Sequence, residues 1–171
     1  MPAIREAEET GEIENFGHSR VSETHRFLAV LPAGRENLED PYSRKLNEAR
    51  RPLRVLIADD HEAVRRGLRS AIWGAGWEVC AEAGNGREAI EKAEEFHPDV
   101  VILDVSMPVM GGLEAAPEIL RVAPRAKVVA FTMHESEQIK TEMSRIGVHT
   151  LAVKSEPLSS LLEKIKSVVS K

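Results

Sequence analysis

Val100-Val101-Ile102-Leu103-Asp104-Val105-Ser106-Met107-Pro108 decides how this chain folds. Its first four residues are apolar and mostly β-branched, with no polar alternation, the pattern of a strand buried on both faces of a parallel sheet. The run stops at a carboxylate, and Pro108-Val109-Met110-Gly111-Gly112 then reads as a loop. Asp104 is thereby predicted at the carboxyl end of a central strand. That edge of an open α/β sheet is where ligands bind, because strand-to-helix loops and helix amino termini converge on it.

Upstream, Leu53 to Ala58 repeats the buried-strand pattern and ends in Asp59-Asp60, after which Val64, Leu68, Ala71 and Ile72 recur at helical spacing until Gly74 and Gly76. Trp77 to Ala83 is a second strand. Gly84-Asn85-Gly86 is a turn with Asn85 as N-cap, and Ala89, Ile90, Ala93 and Phe96 form one helical face before Pro98. Downstream of Asp104 a helix is expected from about Gly112 to Val122, made irregular by Pro117, because proline in a helix interior removes a hydrogen bond and clashes one turn back. Lys127 to Phe131 is a fourth strand ending at Thr132, and Glu135 to Ile146 a polar helix whose weak apolar face predicts mobility. Thr150 to Val153 is a fifth strand ending at Lys154, and Leu158, Leu161, Leu162, Ile165, Val168 and Val169 stripe a terminal amphipathic helix. Strands alternating with helices in this way predict an α/β, flavodoxin-like, doubly wound (βα)5 sandwich with parallel sheet order 2-1-3-4-5.

A chain of 171 residues with 42% hydrophobic content can bury one sizeable core. That core is assigned to residues 53–171. Residues 1–52 carry charges of both signs and one short apolar run, Phe27 to Leu31; they are expected to form a disordered extension, with Phe27 to Leu31 as a candidate docking arm. A net charge of −5 argues against direct DNA binding by this chain and against an anionic membrane surface. Lone Cys80 excludes an intrachain disulfide and reads as a small buried strand residue. Neither a signal peptide nor a membrane span is visible, so a cytoplasmic location is expected.

The predicted topology brings Asp59, Asp60, Asp104, Thr132 and Lys154 to one edge of the sheet. Two carboxylates about 4 Å apart repel by roughly 4 kcal/mol at an effective dielectric of 20, so a single lysine leaves the group short of positive charge. Oxygen ligands with room for water suit Mg²⁺. An ionised carboxylate is an adequate nucleophile toward phosphorus, since phosphoryl transfer is mainly positioning and charge neutralisation. In this reading Asp104 is the phosphoacceptor, Asp59 and Asp60 hold the metal, Lys154 neutralises a phosphoryl or carboxylate oxygen, and the Thr132 hydroxyl bonds the phosphoryl group.

Ile-Ala-Asp-Asp-His (57–61), Leu-Asp-Val-Ser-Met-Pro-Val-Met-Gly-Gly (103–112), Phe-Thr-Met-His-Glu (131–135) and Val-Lys-Ser (153–155) together make residues 53–171 resemble the receiver domain of two-component response regulators. Ala-Gly-Asn-Gly-Arg-Glu-Ala (83–89) gives it the flavour of the NarL/FixJ type, without the helix-turn-helix output domain that usually follows. The resemblance implies a signalling phosphoacceptor rather than an enzyme. Its phosphoryl group comes from a histidine kinase or histidine phosphotransfer protein, and its phosphorylation and dephosphorylation are self-catalysed. It also implies Mg²⁺ held by Asp59, Asp60, Asp104 and the Ser106 backbone carbonyl, a switch through Thr132 and Lys154, and lifetime tuning by Ser106 and His134. The responding surface comprises the fourth helix, fifth strand and fifth helix, which meets an unknown downstream protein or forms a homodimer through the last two helices. An aromatic residue commonly stands three positions before the lysine, where this chain has Leu151. Two alternatives stand beside this reading: an unphosphorylated pseudo-receiver adaptor, and a haloacid dehalogenase-type phosphatase, whose second catalytic aspartate would fall at Ser106.

Overall fold

In the computed structural model, which describes residues 51–170, the decisive stretch is β3 (Val100–Asp104), in the middle of a five-stranded parallel sheet. Its neighbours are β1 (Arg54–Ala58) and β4 (Lys127–Thr132), flanked in turn by β2 (Glu78–Ala83) and β5 (Thr150–Val153), giving the order 2-1-3-4-5. The expected fold class is the one observed. Between the strands run α1 (Glu62–Gly74), α2 (Gly86–Phe96), α3 (Gly112–Val122) and α4 (Glu137–Ile146), and α5 (Leu158–Val169) closes the domain.

Strand alternation divides the core into two layers. Leu56, Ala58, Val101, Leu103 and Val128 face α2 and α3, which answer with Ala89, Ala93, Ala115, Ala116 and Ile119. Val55, Ile57, Val100, Ile102, Val129 and Phe131 face α1 and α5, which contribute Leu68, Ile72, Leu161, Ile165 and Val168. Every residue of β3 is buried, which explains its lack of polar alternation. Each fully buried Ile or Leu here contributes about 1.5–3 kcal/mol relative to exposure.

The caps are partly those the sequence announces. Asn85 accepts a hydrogen bond from the Glu88 amide at 3.0 Å, while Glu88 reaches back to the Gly84 amide at 2.9 Å. α4 begins two residues later than expected because the Ser136 hydroxyl, accepting from the Ile139 amide at 3.2 Å, makes Ser136 the N-cap. α3 is a further correction: it runs unbroken from Gly112 to Val122 with Pro117 inside it. Pro117 is exposed, while Ala115, Ala116 and Ile119 are fully buried against the sheet, so packing of the opposite face holds the helix through the missing bond. Cys80 is half-buried in edge strand β2, at the point where the β1–β2 register slips between Val79 and Ala81. The expectations for residues 1–52, including the Phe27–Leu31 arm, lie outside the described residues except at Arg51 and Pro52. Among the described residues no helix is long and apolar enough to cross a membrane.

Candidate functional site

Each predicted strand-end residue arrives at the carboxyl edge through its own strand. Asp59 follows β1; its amide donates to the Ala83 carbonyl at 3.0 Å and its carboxylate oxygen Oδ1 accepts the His61 amide at 2.9 Å, a tight turn that folds the carboxylate inward. Arg65, one turn into α1, donates to the Asp59 carbonyl at 2.7 Å and pairs with Glu82 of β2, fixing the turn from outside. Asp104 ends β3, with Oδ1 accepting the Ser106 amide at 3.2 Å. Lys154 follows β5; its amide donates to the Thr132 carbonyl at 2.7 Å, and its side chain crosses the sheet end to place Nζ 2.8 Å from Asp104 Oδ2 and 2.6 Å from Asp59 Oδ2. The same ammonium lies 5.7 Å from the Phe131 ring centroid.

Asp59 and Asp104 are 1% and 3% exposed, so the two carboxylates share one ammonium away from water. Burial pushes the Asp104 carboxyl above the usual carboxylate range, against the opposing hydrogen bonds of Lys154 and Ser106. Burial by itself would lower the Lys154 ammonium, but the paired Asp104 and Asp59 carboxylates outweigh it and its pKa is raised. The charge remains underbalanced: Asp59 Oδ2 is buried without a hydrogen bond, the nearby ammonium being poorly aligned to make one. One donor atom from each of Asp59, Asp60, His61 and Asp104 lies within 4.8 Å of the others. Two buried carboxylates that share one ammonium, with the Asp60 carboxylate beside them, fit a divalent cation of the Mg²⁺ type.

Thr132 is buried at the same edge, but its hydroxyl is engaged within its own loop, donating to the His134 carbonyl at 3.1 Å and facing the His134 amide at 3.4 Å. His134 itself is exposed, as is Ser106, which brings a hydroxyl and no second carboxylate. Leu151 is half-buried opposite Ala130 and packed with Val105 and Met143 beneath α4. Two contributors escaped the sequence reading. Arg65 is hidden among the charges of an amphipathic helix. His61 follows the acidic pair directly, and its Nδ1 lies 2.6 Å from Asp60 Oδ1; that adjacency was its only signal.

The loop after Asp104 is strained. Val109 has φ of +69°, an outlier for a β-branched residue, and the Met110 amide closes back on the Pro108 carbonyl at 2.7 Å. Gly112 then donates to the Val105 carbonyl at 2.9 Å and starts α3 directly behind the acidic site.

Comparison with known proteins gives a consistent picture. The family model of the response regulator receiver domain matches residues 55–166. The chemotaxis protein CheY of Thermotoga maritima is 38% identical over 115 residues, covering 67% of this chain and 96% of CheY. The response regulator GacA of Pseudomonas viridiflava is 38% identical over 117 residues, covering 68% of this chain, which thus spans only about half, 55%, of GacA. A CheY from Borrelia burgdorferi, solved in a complex with CheX, BeF3 and Mg²⁺, superposes with a TM-score of 0.69 at 27% identity, covering 73% of this chain and 95% of that one.

Proposed function

The chain belongs to the response regulator receiver family, and from that premise we propose that Asp104 accepts a phosphoryl group and that Asp59, Asp60, Asp104 and the Ser106 backbone carbonyl hold Mg²⁺. Receiver domains are signalling phosphoacceptors, phosphorylated by histidine kinases or phosphotransfer proteins. The observation that carries the assignment is the Asp104 carboxylate itself. It is held at Oδ1 by the Ser106 amide and at Oδ2 by Lys154, beside an Asp59 oxygen that lacks a hydrogen bond.

Bound Mg²⁺ supplies the positive charge that the carboxylates and an incoming phosphoryl group both require. The chain's own residues do the rest. An Asp104 oxygen attacks phosphorus of a phosphohistidine, the O–P bond forms as the N–P bond breaks, and the electron pair returns to the donor imidazole, which takes a proton. Lys154 pairs with a phosphoryl oxygen as well as with Asp59. The Thr132 hydroxyl leaves the His134 carbonyl and donates to another phosphoryl oxygen, a rotation that frees its loop. Leu151, packed beneath α4, can repack when that loop moves but offers neither the area nor the polar tip of an aromatic residue. The responding surface is α4, β5 and α5, facing a downstream protein or a second copy. Among the large apolar residues described, the helices of this surface expose only Val169, so recognition there depends mainly on polar contacts. Ser106 and His134, at the rim, set how long the acyl phosphate lasts.

The test is intact-protein mass after incubation with acetyl phosphate or phosphoramidate, with and without Mg²⁺, for wild type and Asp104→Asn. A Mg²⁺-dependent, base-labile phosphoryl adduct is expected in wild type only, with its decay rate altered by substitution of Ser106 or His134. No adduct on folded, metal-loaded wild type would leave the unphosphorylated adaptor as the better account.

A further inference from the structure

Arg65 holds the peptide that joins the two acids at the end of β1. Asp59 lies one residue past that strand, and its amide donates to the Ala83 carbonyl of β2 at 3.0 Å. Its carbonyl, which belongs to the Asp59–Asp60 peptide, takes a hydrogen bond from Arg65 Nη1 at 2.7 Å. The same guanidinium donates through Nε to Glu82 Oε2 at 3.2 Å and pairs through Nη2 with Glu62. Glu82 is fixed in turn by Arg69, whose Nε and Nη2 reach its two oxygens at 2.6 and 2.9 Å. Both peptide groups of Asp59 are therefore anchored on β2, one directly and the other through Arg65. The Arg65 side chain is 17% exposed and that of Glu82 24%, so the bridge is partly shielded from the screening that weakens surface ion pairs. A planar guanidinium suits the task, because its fixed fork of donors meets a carbonyl and two carboxylates at once.

We propose that Arg65 is a positioning residue for the cation of the acidic site: by fixing the plane of the Asp59–Asp60 peptide it sets how the two carboxylates stand to each other, and so the affinity for Mg²⁺. This rests on the metal-binding reading given above and deepens it. Adjacent residues share one peptide, so its rotation moves one carboxylate relative to the other. Asp59 is also held by burial, whereas Asp60 is exposed and depends more on the peptide for its direction. The sign of the effect separates positioning from charge. A guanidinium this near a cation site repels the cation, so its removal would tighten Mg²⁺ binding if charge were all that mattered. Loss of an outer partner that orients the ligands weakens binding instead. Arg69 provides the control: its described contacts are with Glu82 and Glu62, not with Asp59.

The experiment is calorimetric Mg²⁺ affinity of the full chain, with the Mg²⁺ dependence of phosphorylation by acetyl phosphate alongside, for wild type, Arg65→Gln, Arg65→Lys and Arg69→Gln. Arg65→Lys keeps the charge but replaces the fork with a point donor. Mg²⁺ binding is expected to weaken about tenfold in both Arg65 variants. Their phosphorylation rate at saturating Mg²⁺ should stay near that of wild type, and Arg69→Gln should match wild type in both readouts. Should Arg65→Gln not fold, Arg65→Lys decides alone. Unchanged or tighter Mg²⁺ binding in a folded Arg65 variant, or an equal loss in Arg69→Gln, would overturn the role of Arg65 while leaving the metal site standing. If wild type does not bind Mg²⁺, the metal-binding reading fails and the Arg65 proposal with it.

Discussion

Lys154 faces two buried carboxylates with a single charge, and this imbalance sets the pH behaviour of the metal-free protein. The folded state raises the Asp104 pKa, chiefly through burial, so it binds that proton more tightly than the unfolded chain does. The resulting stabilisation is fully present below the ordinary carboxylate pKa and is lost as pH rises through the raised folded value. Asp104→Asn has no such proton to lose. Without divalent cations, the variant is therefore expected to melt above wild type at pH 7, with the gap shrinking as pH falls through the carboxylate range. Added Mg²⁺ should narrow the gap at pH 7 by stabilising wild type more. Thermal scans over a pH series with and without Mg²⁺ check this; a variant that melts below wild type throughout would mean the Lys154 contact outweighs the cost of burial.

At the scale of elements, the start of α3 has the closest approach among the described glycines. A Cβ built on Gly112 would stand 2.2 Å from the Asp104 carbonyl oxygen and 3.1 Å from Val105 Cα, both backbone atoms that cannot turn aside. Gly86 at the start of α2 is similarly confined, 2.7 Å from the Met110 carbonyl oxygen. Gly112→Ala should therefore destabilise by about 3 kcal/mol, measured as a lower urea midpoint at unchanged slope. The variant should also phosphorylate more slowly, because the displaced backbone carries Asp104. Asn85→Ala, which removes the cap and the hydrogen bond its side-chain amide donates to Glu88, should cost about 1 kcal/mol by the same measurement and leave the site unaffected. If the two variants lose stability equally, the close approach at Gly112 has relaxed at little cost.

Over the whole molecule, we propose that residues 53–171 are a self-contained domain, since the layers above and below the sheet are built from residues within that span. A chain trimmed to residues 51–171 is expected to melt in one transition near that of the full chain and to take up phosphoryl groups at a similar rate. A large loss of stability on trimming would assign the preceding segment a packing role. The fold was legible in the sequence because β3 and β1 carry their burial as unbroken apolar runs, and because strands of a parallel sheet deliver their carboxyl ends to one edge whatever the loops do. Asp59, Asp104, Thr132 and Lys154 were legible for that reason, each being the polar residue at which an apolar run stops. Two features were not. Pro117 sits in an unbroken helix because the buried face opposite it outweighs a local propensity. Val109 holds a left-handed backbone that valine does not announce, imposed by the close return of the chain from Asp104 to Gly112. His61 and the Thr132 hydroxyl show the remaining division. Sequence order brings such residues to the site, but side-chain torsions that residue order does not fix turn the imidazole toward the carboxylates and the hydroxyl toward its own loop.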